Sequence, residues 1–536
     1  MNRLIKKILD VDDAYRNILP DGSIYAHQSD MEWAIRDYDN IILSAPCGSG
    51  KTVGAIVPWL VTGKRSRLIY VLPTTALLES IESDVKEIID KLGLKIGIRA
   101  IGETNTIAIA ADYGDRRDSD LLKHNIIFTT LDSFLLRIYR TPLTPSKYRD
   151  LTSSRILNSF VVLDEAHMYD EFTLNLAKAT LRLLREANVP HLMMTATLTD
   201  GLKDFLGIQG QKYHEVKVSD AEWDSFSGTR VVKGIETYRD VESINLIIKS
   251  ILDSNCAKSA LIVLNTVDTA IGVYDGLKND FDCTLLHSRF TKEDRRNNLK
   301  DAMGKLRTGS GVVISTQVIE AGIDISTPLL ITELASGDSL VQRMGRCARR
   351  KEETGAVYIL RKPDEEDSGK LVHPPYSNES IKSALEVLEM SGSELELSRS
   401  TPKPDESSKD SEKGVKMALR ALTSMYSFSK SILDMQTRSG TPVYIFCGED
   451  LKEVSGKDKA WQDKQKDCVR VDIRWVWRLG DKLKDMVIYK IDETGLSNAE
   501  RTTIRPWDVL SDPIRNSPRS KKKLYEYDSK RGLRKL

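Results

Sequence analysis

Along the first 215 residues, short runs of Val, Ile and Leu alternate with segments of helical period. The runs NIILSAP, RLIYVLP, NIIFTT, FVVLDEAH and HLMMTAT are continuous, and each ends in small or polar residues. Continuous apolar runs of this length predict strands buried on both faces of a parallel α/β sheet. A second series, SALIVLNT, CTLLHSR, GVVISTQ, LLITELAS and GAVYIL, follows from about 259 to 360, with helical segments such as KEDRRNNLKDAM between its members. The pattern predicts an α/β chain of two tandem lobes, residues 1–225 and 226–365. Ligands of such sheets gather at the carboxyl ends of strands, and the polar clusters of both series fall there.

After Arg361 the pattern changes. NESIKSALEVLEM (residues 378–390) has a helical period, and SGSELELSRSTPKPDESSKDSEKG is polar and nearly free of large apolar groups. Such a segment buries too little surface to offset its ordering entropy, so residues 366–415 read as a helix and a flexible linker. Residues 416–536 read as a small accessory domain. In it CVRVDIRWVWR alternates with period two, predicting one half-buried strand, and the tail from Arg515 carries nine basic and two acidic residues.

Bulk properties narrow the class. A chain of 536 residues is too long for one core and suggests three or four units at roughly 150 residues each. With 79 basic and 78 acidic residues the net charge is +1, so contact with nucleic acid must come from a local basic surface. The six cysteines are scattered with no C-x-x-C pair, which argues against a zinc ribbon or a disulfide framework and fits a reducing cytoplasm. Cys283 and His287, four apart, read as packing residues in the absence of a second pair. No run reaches the ~18 apolar residues of a membrane span, and acids stand too early in the N-terminal segment for a signal peptide.

The stretch APCGSGKT carries the first chemistry. It matches a phosphate loop except that Ala45 stands at the usual first glycine. Gly48, Ser49 and Gly50 would turn backbone N–H groups toward phosphates, Lys51 would reach the β- and γ-phosphates, and Thr52 would hold Mg²⁺. In VVLDEAH, Asp164 ends an apolar strand and is placed to hold Mg²⁺ through water, while Glu165 can deprotonate an attacking water. Gln28 is a candidate adenine reader, although an ordinary surface glutamine explains it equally well. In the second lobe, VQRMGRCARR places Arg346 and Arg349 three apart on one predicted helical face, with Gln342 a turn earlier. Arginines there could close over ATP as fingers on transition-state charge.

With these motifs in this order, residues 24 to 361 resemble the superfamily 2 helicases and translocases. PCGSGKT, LPTTAL, FTTLD, LDEAH, MTATL, IVLNT, STQVIEAGIDIS and QRMGRCAR correspond to its successive motifs. The resemblance implies two RecA-like lobes, with His167, Thr195 and Thr197 linking ATP state to lobe movement. It implies that Gly322 and Asp324 approach the nucleotide, and that Pro73, Thr74, Thr129, Asn265, Thr266 and Thr316 border the nucleic-acid backbone.

Three stretches, LLHSRFTKEDR, QVIEAGIDIS and QRMGRCARR, resemble the signature helicase of type I CRISPR interference more than general DEAH RNA helicases, whose last motif more often reads G-R-x-G-R where this chain has Cys347 and Ala348. That family implies single-stranded DNA as the track, 3′ to 5′ polarity and a crRNA-guided surveillance complex as partner. Its metal-binding His-Asp pair is missing, since none of the seven histidines is followed by aspartate. This resembles the split arrangement, in which an HD-type nuclease is a separate chain. A DEAH-type RNA helicase and an ATP-gated clamp remain the other readings.

Overall fold

The computed structural model describes residues 11–19, 24–46, 48–97, 106–113, 116–117, 124–138, 154–166, 169, 171–196, 198–208, 213–220, 222–226, 228–320, 325–363, 372–390, 394–400, 442–447, 454–455, 467–477, 487–492, 495–498, 509–511 and 525–535. His167, Thr197, Gly322, Asp324 and residues 401–415 of the expected linker lie outside them. Among the described residues no helix is long and apolar enough to cross a membrane.

The apolar runs of the first half form one sheet. Strands β1 (Asn40–Ser44), β2 (Leu68–Leu72), β3 (Ile109–Tyr113), β4 (Ile126–Thr130), β5 (Phe160–Leu163), β6 (His191–Thr195) and β7 (His214–Lys217) lie parallel in the order β7–β1–β6–β5–β2–β4–β3. The short strand Arg116–Arg117 pairs antiparallel at the far edge. The lack of alternation in the sequence has a simple cause. Leu68, Tyr70 and Leu72 of β2 enter one core, with helices α1 (Val11–Ile18), α2 (Ala26–Asp37), α3 (Lys51–Thr62) and α4 (Thr75–Lys91). Ile69 and Val71 enter the opposite core, with α5 (Leu131–Ile138), α6 (Glu171–Glu186) and α7 (Asp200–Leu206). Each such side chain contributes about 1.5–3 kcal/mol by leaving water.

The second lobe repeats the plan. Strands β8 (Thr229–Thr237), β9 (Ser259–Val263), β10 (Cys283–Leu286), β11 (Gly311–Ser315), β12 (Leu329–Glu333) and β13 (Thr354–Arg361) are parallel in the order β8–β13–β12–β9–β11–β10. Helices α8 (Val241–Ser254) and α9 (Val267–Leu277) cover one face. α10 (Lys292–Thr308) and α11 (Gly337–Met344) cover the other. The helix expected over 378–390 is present as α12 (Asn378–Met390), followed by α13 (Glu394–Arg399). Both pack into this lobe, through Ile381, Ala384, Leu388 and Leu397. Residues 372–390 and 394–400 therefore belong structurally to lobe 2.

A third sheet of β14 (Pro442–Phe446), β15 (Cys468–Asp472), β16 (Val487–Asp492), β17 (Gly495–Asn498) and β18 (Val509–Ser511) carries its own core. The expected strand over CVRVDIRWVWR is only half correct. β15 stops at Asp472, whose carboxylate accepts the Arg474 N–H at 2.9 Å, and α14 (Ile473–Trp477) follows. This local side-chain bond turns the chain out of the ladder.

Part of the basic tail is a hairpin, β19 (Tyr525–Asp528) and β20 (Gly532–Lys535). Leu533 enters the core of the third sheet, while the rest of the hairpin meets lobe 2. Leu533 N–H donates to Arg289 O at 2.7 Å. His287 Nε2 lies 2.9 Å from Arg531 O. Tyr527 Oη accepts the Thr291 N–H at 3.0 Å, and Arg531 pairs with Asp275 at 2.9 Å. Burial pushes His287 down to about 4, so it is neutral, and both its ring nitrogens are engaged, Nδ1 accepting the Arg289 N–H at 3.1 Å, as in a packed residue.

Gly532→Ala tests this contact. Gly532 has φ +74°, and a Cβ there would stand 2.4 Å from His287 Cε1 and 2.5 Å from Arg289 O. The substitution should undock the hairpin, costing roughly 1–3 kcal/mol and exposing the tail to trypsin, whereas the exposed Lys530→Ala should not. Undocked, His287 takes a proton near the ordinary pH of about 6.5; docked, it does so only near 4, with Arg289, Asp268 and Arg295 as its charged neighbours. Docking should be intact above pH 6.5 and weaken as pH falls toward 4.

Candidate active site

The loop between β1 and α3 turns through two residues in the left-handed region, Gly48 at φ +86° and Gly50 at φ +76°. Gly50 is the N-cap of α3, so the helix opens with Lys51 and aims its first N–H groups at the loop, the arrangement that binds anions. Ser49 is buried and its Oγ donates to Pro46 O at 2.8 Å. α2 buttresses the loop from behind. Gln28 is fully buried rather than on the surface. Its Oε1 accepts the Tyr25 N–H at 3.1 Å and its Nε2 donates to Gly50 O at 3.4 Å. A Cβ on Gly50 would lie 2.6 Å from that Nε2, so the position needs glycine for space as well as for φ. Next to it, His27 approaches Ser49 O at 3.0 Å, and burial holds it below the ordinary histidine range.

β5 delivers the carboxylates to the same place. Lys51 Nζ is 3.2 Å from Ala45 O and 3.8 Å from Glu165 Oε1. Asp164 accepts from Tyr70 Oη at 2.7 Å and from the Glu165 N–H at 2.8 Å. The Thr52 side chain lies beside Tyr70. Burial, and then the neighbouring Glu165 carboxylate, push Asp164 up to about 7. Glu165 itself has φ +54°, an uncommon backbone state for glutamate that is held by its surroundings. Lobe 1 thus brings Gln28, Lys51, Thr52, Asp164 and Glu165 together. Their oxygens suit a hard divalent cation, and the glycine loop with its ammonium suits a polyphosphate.

In lobe 2 the expected helical face is not formed. α11 ends at Met344 with Gly345 as C-cap, so Gln342 is a buried helical residue while Arg346 and Arg349 stand in the turn beyond. Ala348 at φ +43° and a bridge between Thr327 and Cys347 shape that turn. Arg346 is buried, its Nε donating to Ile319 O at 3.1 Å and its Nη2 to Glu320 O at 2.7 Å. Arg349 approaches Gly345 O at 3.5 Å, and its N–H donates to Ser326 Oγ at 2.9 Å.

Near Gln28, the expected adenine reader, stand three residues that no local pattern pointed to, Tyr25, Phe226 and Lys351. The Tyr25 and Phe226 rings meet edge-on at 4.8 Å, and Lys351 of lobe 2 lies 5.3 Å over the Tyr25 ring.

The nucleic-acid candidates all sit at carboxyl ends of strands. Buried Pro73 and the α4 N-cap Thr74 follow β2; Thr129 is near the end of β4; Asn265 and the α9 N-cap Thr266 follow β9; buried Thr316 follows β11. Thr129 and Asn265 are buried with their side chains engaged, Thr129 Oγ1 on Asp112 O at 2.8 Å and Asn265 Nδ2 on Leu334 O at 2.8 Å. Thr195 is buried at the end of β6, its carbonyl accepting the Ala45 N–H at 3.2 Å.

Comparison with known proteins agrees with this geometry. Residues 25–205 match the DEAD/DEAH box helicase family, and residues 256–352 match the C-terminal region of CRISPR-associated nuclease/helicase Cas3. The chain is 27% identical over 411 residues to the putative CRISPR-associated nuclease/helicase Cas3 of Methanocaldococcus jannaschii, covering 70% of this chain and 53% of that protein. In fold it is similar to T. fusca Cas3 solved with ADP, at TM-score 0.66 and 18% identity over 97% of this chain and 71% of that one. A chain of a CRISPR RNA-guided surveillance complex in a pre-nicking state aligns at TM-score 0.59 and 17% identity, over 94% of this chain and 70% of that one. The chain spans about half the length of the relatives it matches. Its two parallel-sheet lobes and phosphate loop are those of a superfamily 2 helicase. Within that class its second lobe and its relatives make it similar to the Cas3 type.

Two substitutions separate binding from chemistry at this site. Lys51→Ala should weaken nucleotide binding and abolish hydrolysis, because the loop loses its cation. Glu165→Gln should bind nucleotide normally and lose about 10²-fold or more in hydrolysis. Titration with a fluorescent ATP analogue and single-turnover hydrolysis check both; wild-type turnover by the Gln variant would remove Glu165 as the base.

Proposed function

We propose that this chain is an ATP-driven motor that travels 3′ to 5′ along single-stranded DNA in type I CRISPR interference, while an HD-type nuclease on a separate chain cuts. The observation that carries the reading is the meeting of Lys51, Thr52, Asp164 and Glu165 in lobe 1, beside a second lobe of the same architecture that carries Arg346 and Arg349. Bound ATP with Mg²⁺ would supply the bond to be cleaved and the cation that neutralises its charge.

The residues of the chain divide the remaining work. Backbone N–H groups from Gly48 to Gly50 and the Lys51 ammonium hold the phosphates, and Thr52 and Asp164 hold the metal ion. Glu165 takes the proton of the attacking water. Gln342, Arg346 and Arg349, with Gly322 and Asp324, complete the site from lobe 2 when the lobes close. His167, Thr195 and Thr197 pass that closure to the strand-end positions Pro73, Thr74, Thr129, Asn265, Thr266 and Thr316. At Thr129 and Asn265, whose side chains are engaged internally, the grip on phosphates runs through backbone groups.

The partner proposed is a crRNA-guided surveillance complex, on the strength of the likeness to a chain of such an assembly, and the compartment is the cytoplasm. The separate HD-type nuclease chain is part of the same proposal.

Steady-state ATP turnover with single-stranded DNA, duplex DNA, RNA or no nucleic acid tests the reading. Single-stranded DNA should stimulate most, and the same DNA should stay uncut with Mg²⁺, Mn²⁺, Ni²⁺ or Co²⁺ until an HD-type nuclease chain is added. Stronger stimulation by RNA would favour the RNA helicase, and turnover without strand movement would favour the clamp. Cutting lost on deleting residues 416–536, yet kept in Lys51→Ala, would place a nuclease in this chain.

A further inference from the structure

Arg343 has no role in the scheme above, yet its side chain is fully engaged. It is wholly buried. A guanidinium has five N–H donors, and Arg343 makes five bonds. Nε donates to Glu320 Oε1 at 2.7 Å, and Nη1 donates to Thr332 Oγ1 at 3.0 Å and to Glu333 O at 2.9 Å. Nη2 donates to Asn265 Oδ1 at 3.0 Å and to Tyr376 Oη at 2.9 Å. Glu320 therefore has both ends occupied, its carboxylate by Arg343 and its carbonyl by Arg346 Nη2 at 2.7 Å.

Tyr376 comes from outside the two sheets, in the segment 372–400 that follows lobe 2. That segment is packed directly on α11. A Cβ on Gly337, at the start of α11, would lie 2.1 Å from Ser400 Oγ and 2.3 Å from Leu397 O. At the other end of the helix, Arg230 donates to Cys347 O at 2.6 Å and pairs with Glu394. α11 and the turn bearing Arg346 are thus clamped at the start by Leu397 and Ser400, in the last turn of the helix by Tyr376 through Arg343, and beyond it through Glu394.

We propose that Tyr376 and Arg343 are positioning residues for Arg346. Tyr376 fixes one arm of the Arg343 fork, Arg343 fixes Glu320, and the Glu320 carbonyl fixes the guanidinium that lobe 2 presents to the nucleotide. The segment 372–400 thereby sets how well the arginine is aimed. The proposal rests on Arg346 acting as a finger, and the test separates the two ideas.

Tyr376→Phe removes one hydroxyl and keeps the ring; Arg343→Lys keeps the charge and loses the fork. Both are made in the full chain, alongside Arg346→Ala and the Tyr376→Phe/Arg346→Ala double variant. Single-turnover ATP hydrolysis with saturating single-stranded DNA is followed, together with ATP KM and thermal midpoint. Tyr376→Phe should lower the hydrolysis rate about tenfold with KM changed less than about twofold, and Arg343→Lys should lower it further. In the Arg346→Ala background Tyr376→Phe should then cost less than about twofold, because the group it aims is gone. The same factor in both backgrounds, or a lowered thermal midpoint with an unchanged rate, would overturn the relay and leave the finger standing. An Arg346→Ala variant with the wild-type rate would overturn the finger, and the relay with it.

Discussion

Two carboxylates, Asp164 and Glu165, stand against one buried ammonium, Lys51. Burial, and then repulsion between the two carboxylates, lift Asp164 to about 7. The site is built to be incomplete. A ligand that brings both a polyanion for the glycine loop and a divalent cation for the carboxylates relieves the imbalance, and few ligands other than a nucleoside triphosphate with its metal ion do both. The rest of lobe 1 serves this cluster. The sheet order sets β1 beside β6, and β6 beside β5, which brings the loop and the acids to one edge, Tyr70 reaches Asp164 from β2, and α2 backs the loop through Gln28.

Lobe 2 has the same sheet logic with the opposite charge. Its buried guanidiniums, Arg343 and Arg346, are satisfied by carbonyls and by Glu320, so neither needs lobe 1 to be stable. An arginine already dehydrated and aimed is suited to transition-state charge, since little reorganisation is needed at the moment of reaction. The later parts of the chain attach to this lobe as well. Residues 372–400 pack on α11, and the hairpin of β19 and β20 joins the third sheet to the start of α10. Movement of lobe 2 is thereby tied to movement of the accessory domain.

What could be read from the sequence was whatever depends on neighbours in the chain. Continuous apolar runs located every parallel strand of the two lobes except β3, β7 and β8, and the phosphate loop and DEAH run announced themselves by spacing. The edge strand β8 escaped because its exposed face makes it alternate, with Val231 44% exposed. The helical face drawn for Arg346 and Arg349 failed because Gly345 caps α11 early. Arg343 was silent because its five partners come from residues 265, 320, 332, 333 and 376, a set that no local pattern contains. The hairpin was hidden inside a basic tail because much of its docking uses backbone atoms of Arg531 and Leu533 and the bare Cα of Gly532.

In the proposed motor, lobe 2 completes the lobe 1 nucleotide site only when charge develops in hydrolysis. Binding of two analogues to the wild type and to Arg346→Ala, with single-stranded DNA present, measures this directly: AMPPNP as a mimic of the ground state, and ADP with aluminium fluoride as a mimic of the transition state. Arg346→Ala should leave AMPPNP affinity within about twofold and weaken the transition-state mimic by on the order of 10³-fold. Equal losses for both analogues, or no loss for either, would contradict it.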